Sequence, residues 1–295
     1  MKGVECLVGL TKLELWVSVA GPYPTYFYLI FSCASYCVVI LYILHIISLT
    51  PNYLLRLYRY DNQVESISGL EALVNLTVLD LSFNAIREMA PVAACPMLQE
   101  LYVAQNKLRE ICGVQELQHL RTLDLGANRI RKMSGAGLSK LTNLESLWLG
   151  KNKIERIEDV NKLPKLRQLD VQNNRLKSIC EDVGEGENSG IADLESLEEL
   201  YLACNAIEST KGLPTRSPLN TVDLSTNQLS DLEGISQHKS LTELWMTSAK
   251  FDSFEQLEVL KVSMLVILFT VLMFMFHVLR FVAIKLLYRL GVSQF

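Results

Sequence analysis

The sequence predicts an α/β solenoid: stacked coils sharing a curved parallel sheet on a concave face, with short helices or 3-10 turns on the convex face. Two observations predict it. The phrase L-x-x-L-x-L-x-x-N-x-I/L, seen at residues 76–86 as LTVLDLSFNAI, recurs along the chain. Its Asn falls at Asn62, Asn84, Asn106, Asn128, Asn152, Asn174, Asn205 and Asn227, and a ninth copy has Ala249 in the Asn place. The spacings are 22, 22, 22, 24, 22, 31, 22 and 22 residues, and a fixed period in the twenties marks a repeat architecture.

This is the grammar of a leucine-rich repeat. In the copy at Asn84, Leu79 and Leu81 sit two apart and point to one face of a short strand. The chain then turns at Asn84, whose amide can pair backbone groups that a turn leaves open. Ile86 and Met89 close the coil from the other side. One coil cannot bury its leucines alone, so stacked coils must share one core.

Asp80 lies between Leu79 and Leu81 and must face outward on the concave sheet. Down the stack the same position reads Asp80, Tyr102, Asp124, Trp148, Asp170, Tyr201, Asp223 and Trp245. Carboxylate and aromatic alternate. Core packing does not require this, and aligned exposed aromatics mark interaction surfaces. The aromatics are expected to anchor a partner and the aspartates to accept from its Lys and Arg. Glu243, two residues before Trp245, shares that face.

Both ends depart from the repeat. Residues 1–15 read as a partial first repeat, with Leu10, Leu13 and Leu15 in register. Residues 16–59 read as an apolar insertion. Within it, residues 26–50 contain no Asp, Glu, Lys or Arg, and as a helix they would span about 37 Å, enough to cross a bilayer. Residues 60–261 are the solenoid. Residues 262–295 are a second apolar segment, whose run at 262–278 is a candidate membrane helix followed by Arg280, Lys285 and Arg289. The fold expectation therefore includes apolar helices at both ends. Removing residues 16–59 joins Leu15 to Tyr60 and restores an unbroken repeat. Both apolar segments thus read as translated intron sequence, with the first looped out or disordered beside the solenoid. Two insertions lengthen the period: SGAGLSK from Ser134, and an acidic, glycine-rich loop at residues 181–193 expected on the convex side.

Net charge is -4 over 295 residues, which argues against a broad nucleic-acid surface. The seven cysteines include no cysteine-rich caps around the repeats. Cys95, Cys112, Cys180 and Cys204 lie singly within them and read as thiols of a reducing compartment. The four histidines are isolated, no Cys/His pair has zinc spacing, and no nucleophile lies near a base in sequence. No enzyme activity, metal or cofactor is expected.

The phrases YDNQVESISGLEAL, LTNLESLWLGKNKIERI and LEELYLACNAIE resemble the leucine-rich-repeat regulatory subunit of protein phosphatase 1, over residues 60–261 with a fragment at 7–15. The resemblance implies a non-catalytic regulatory or scaffold subunit, in cytoplasm and nucleus, that binds the phosphatase catalytic subunit on its concave face. The family's contact positions correspond to Asp80, Tyr102, Asp124, Trp148, Asp223, Glu243 and Trp245. The family's C-terminal capping motif is missing here, and the apolar segments are foreign to it. The alternative function is a membrane-anchored leucine-rich-repeat receptor or adaptor. The phosphatase catalytic subunit is the expected partner, nucleic acid is not, and a membrane is one only if the apolar segments are anchors.

Overall fold

The computed structural model describes residues 13–19, 25–31, 53–58 and 64–247, except 68–69, 72, 181–189 and 233. Eight short strands follow the repeat: β4 (Leu76–Asp80), β5 (Glu100–Tyr102), β6 (Thr122–Asp124), β7 (Ser146–Trp148), β8 (Gln168–Asp170), β9 (Glu199–Tyr201), β10 (Thr221–Asp223) and β11 (Glu243–Trp245). Each pairs in parallel with the next, with equivalent repeat positions opposite one another, as in Leu123↔Leu147 and Asp124↔Trp148. The strands are short because each coil must turn at its Asn. Hydrogen bonds carry the ladder past their ends: Leu125 N–H donates to Trp148 O at 2.8 Å and Ala127 N–H to Gly150 O at 2.7 Å.

The core runs the length of the stack. In the coil of Asn128, Leu117, Leu120, Leu123, Leu125, Ile130 and Met133 are all fully buried. The Asn side chains tie coil to coil. Asn128 Nδ2 donates to Val103 O of the previous coil (2.9 Å) and Leu125 O of its own (3.0 Å), and its Oδ1 accepts Leu108 N–H at 3.0 Å. Asn106, Asn152, Asn174, Asn205 and Asn227 repeat the pattern. From Asn84 to Asn227 the residue before each repeat Asn takes a left-handed conformation, from φ 52° at Gln105 to φ 57° at Phe83, Lys151 and Cys204.

The convex side carries 3-10 turns at Ala90–Ala94, Leu138–Lys140 and Ile235–Gln237. The insertion after Ser134 forms one of them and returns Leu138 to the core. Gly137 there has φ 76°, and a Cβ on it would come within 2.6 Å of the Gln115 Cβ, so both conformation and space require glycine. In the longer insertion, residues 181–189 lie outside the described residues. Beyond them Ile191 is fully buried, at the repeat position that Val160 and Val114 hold in other coils.

The expectation of apolar terminal helices is corrected at the N-terminal side. Strand β1 (Leu13–Val19) runs unbroken through Leu15 and Trp16. It pairs antiparallel with β2 (Thr25–Phe31) and with β3 (Tyr53–Tyr58). β3 continues the solenoid sheet, parallel to β4, with Leu57 opposite Leu79 and Tyr58 opposite Asp80. Among the described residues the sheet therefore has eleven strands, in the order β11-β10-β9-β8-β7-β6-β5-β4-β3-β1-β2. The stretch read as a helix from Tyr26 thus begins as a strand, and residues 13–19, 25–31 and 53–58 join the sheet instead of looping out. A run without charged residues has no clear period to separate helix from strand, and TYFYLIF is rich in the aromatic and β-branched residues that strands favour. Among the described residues no helix is long and apolar enough to cross a membrane. Residues 32–50 and 262–278, and the ninth copy's Ala249, lie outside the described residues.

Candidate functional site: the concave face

The central residue of each three-residue strand is buried and its two neighbours face the concave surface. This places all eight residues of the alternating column on one face, with Glu243 beside Trp245. The face has a second column two residues earlier: Glu100, Thr122, Ser146, Gln168, Glu199, Thr221 and Glu243, while Val78, at the same position of β4, is buried. None of these positions carries Lys or Arg.

The aspartates are fixed by the turn that follows each strand. Oδ1 of Asp80, Asp124, Asp170 and Asp223 accepts the backbone N–H two residues on, at 2.9, 2.8, 2.9 and 2.9 Å. Asp170 also accepts Gln172 Nε2 on Oδ2 at 3.0 Å. The small residues after the strands leave room for this. A Cβ on Gly126 would lie 3.1 Å from Asp124 Oδ1, and one on Gly150 would lie 3.1 Å from Asp170 Oδ1. Burial pushes the Asp124 carboxyl above the usual range, opposed by the Gly126 N–H and reinforced by the charges of Asp170 and Asp80. Asp170 is raised in the same way, by burial first, opposed by its bonds from Gln172 and reinforced by the Asp223 charge.

The aromatics are fixed by the second column. Tyr102 Oη donates to Glu100 Oε2 and Tyr201 Oη to Glu199 Oε2, both at 2.9 Å. Trp148 Nε1 donates to Gln168 Oε1 at 2.9 Å, and Gln168 Nε2 passes the chain on to Glu199 at 2.8 Å. Tyr201 is pushed up to about 12, by burial first and then by Glu199, Glu243 and Asp170, so it remains a neutral donor. Strands two apart are about 9.6 Å apart, yet the Tyr102 and Trp148 ring centroids are 6.5 Å apart. The two rings lean toward each other over the strand of Asp124. Trp245 is 46% exposed.

Glu100, Gln168 and Glu199 were not anticipated as site residues, although Glu243 was. The sequence carries a signal for the glutamates: the phrases E-L-Y at 100–102 and 199–201 and E-L-W at 243–245 put Glu two residues before an aromatic. Among the described residues no group of His, Cys, Asp or Glu is placed to hold a metal ion. The face offers carboxylate acceptors and aromatic rings held by hydrogen bonds.

Comparison with known proteins agrees with this architecture. A leucine rich repeat family matches residues 118–176 and a second such family residues 69–87. An internalin (inlF) of Listeria monocytogenes superposes with TM-score 0.60 at 27% identity, over 70% of this chain and 58% of that one. An internalin C2 (inlC2) of the same organism gives 0.58 at 28%, over 65% of this chain and 80% of its own. A leucine-rich-repeat protein of Leptospira interrogans gives 0.50 at 26%, over 66% and 55%. Comparison with curated protein sequences gives no match. The chain carries leucine-rich repeats and their fold, whose members typically serve as non-catalytic scaffolds for protein interaction.

Proposed function

We propose that this chain is a non-catalytic regulatory or scaffold subunit that holds the catalytic subunit of protein phosphatase 1 against its concave face. The observation that carries the reading is the alternating carboxylate–aromatic column, already held in place by its own hydrogen bonds. A partner meeting this face finds ordered rings and acceptors, so little side-chain entropy is lost on binding. The contact residues are Asp80, Tyr102, Asp124, Trp148, Asp170, Tyr201, Asp223, Glu243 and Trp245. The complex belongs in cytoplasm and nucleus, in keeping with Cys95, Cys112 and Cys204, which are free thiols.

The test is calorimetric titration of the purified phosphatase catalytic subunit into the full chain. Trp148→Ala and Trp245→Ala are each expected to weaken binding by about 2 kcal/mol or more, as buried aromatic anchors do. Normal binding by both variants, with unchanged melting curves, would remove the functional meaning of the column.

A further inference from the structure

Eight Lys and Arg residues of the solenoid stand along one edge. After each Asn the chain leaves the concave sheet, and the next residue donates its N–H to the preceding coil. Lys107 donates to Ile86 O, Arg129 to Leu108 O, Lys153 to Ile130 O and Arg175 to Ile154 O, each at 2.8 Å. This second ladder stacks four Lys or Arg side chains at a coil spacing of about 5 Å. The residues that follow, Leu108, Ile130, Ile154 and Leu176, are fully buried. The chain therefore returns to the surface one position later, at Arg109, Arg131 and Lys177, with Arg87 one coil earlier, and all four are exposed. Glu155 is the carboxylate within the two columns, 4.0 Å from Arg175. Glu88 and Glu110 lie at the next position along. The stripe stops at the following coils, where its positions hold Ala206, Glu208, Gln228 and Ser230.

Aligned like charges repel and do not help the coils stack. The concave columns meanwhile hold seven carboxylates (Asp80, Asp124, Asp170, Asp223; Glu100, Glu199, Glu243) and no cation. A chain of net charge -4 thus separates into an acidic face and a basic edge. We propose that this basic edge is a second docking surface, and that its occupant is an extended acidic segment of a partner protein. The stripe crosses five coils, about 20 Å, which some six residues of extended chain would match. Its two columns let carboxylates pair on either side of such a segment. Neither column holds an aromatic side chain, so the stacking platforms that single-stranded nucleic acid uses are missing.

The test measures fluorescence anisotropy of labelled octaglutamate with the full-length chain. Arg109→Glu/Arg129→Glu/Arg131→Glu is compared with Lys162→Glu/Lys211→Glu/Lys239→Glu, which makes the same charge change at exposed positions off the stripe. The stripe variant should lose about tenfold or more in affinity, while the control stays within about twofold. Trp148→Ala should bind octaglutamate as the wild type does, which separates this edge from the concave face. Wild-type affinity should fall steeply with salt, a readout that needs no variant. Equal loss in both triple variants, or salt-independent binding, would overturn the proposal. Tighter, stripe-dependent binding of an oligothymidylate strand would overturn it in favour of nucleic acid.

Discussion

The Asn at each turn is a buried connector. Asn128 serves Val103 O, Leu108 N–H and Leu125 O together, so truncation leaves several buried backbone groups unpaired. Asn128→Ala is expected to cost about 3 kcal/mol in urea unfolding. His238 is the opposite case. It is 3% exposed, neither ring nitrogen has a hydrogen-bond partner among the described residues, and it holds the repeat position filled by Leu117, Leu141 and Leu163 in other coils. Burial lowers its pKa from the ordinary 6.5. Between those two values the unfolded chain binds more protons than the folded one, so the stability is full above pH 6.5 and is lost as the pH falls through that window. His238→Leu should raise the urea midpoint and flatten its change between about pH 7.5 and 5.5. A variant with the wild-type pH slope would show that another group sets it.

At the scale of one strand, neighbouring residues have separate tasks. Leu149 is fully buried while Trp148 lies on the concave face. Leu149→Ala should therefore destabilise the solenoid by about 2–5 kcal/mol through the cavity it leaves, whereas Trp148→Ala should leave the thermal melt nearly unchanged and act on binding. At the N-terminal side, β3 lies opposite Leu79 and Asp80, the register that Leu13 and Glu14 would hold if joined directly to Tyr60. Deleting residues 16–59 should therefore keep the repeat sheet and raise the melting temperature by circular dichroism, because a repeat strand replaces a stretch that lacks the repeat phrase. A lower melting temperature would show that the apolar strands are needed to close the stack.

At the scale of the whole molecule, charge separation should govern association kinetics. If the concave carboxylates steer a basic partner, the on-rate for the phosphatase catalytic subunit should fall as salt rises from about 0.05 to 0.5 M, with the off-rate changing less. Stopped-flow measurement across that range checks it, and a salt-independent on-rate would reduce Asp80, Asp124, Asp170 and Asp223 to turn residues that hold their own backbone N–H groups.

The repeat period, the buried leucines, the Asn turns and the outward column of Asp80 through Trp245 were all legible in the sequence. In a solenoid each coil contacts mainly its neighbours, so position in the repeat nearly determines position in space. Other features needed the assembled stack. The lean of Tyr102 toward Trp148 and the chain from Trp148 through Gln168 to Glu199 join residues from different coils, and their geometry depends on sheet curvature. The basic edge appears only when residues 22 or 24 apart in sequence stand side by side, a juxtaposition hidden by a near-neutral composition. The apolar N-terminal segment was the least legible. A mostly apolar run carries little to mark an inside and an outside of its own, and the open edge of β4, with backbone groups to satisfy, decided that β3 and then β1 and β2 would lie there as strands.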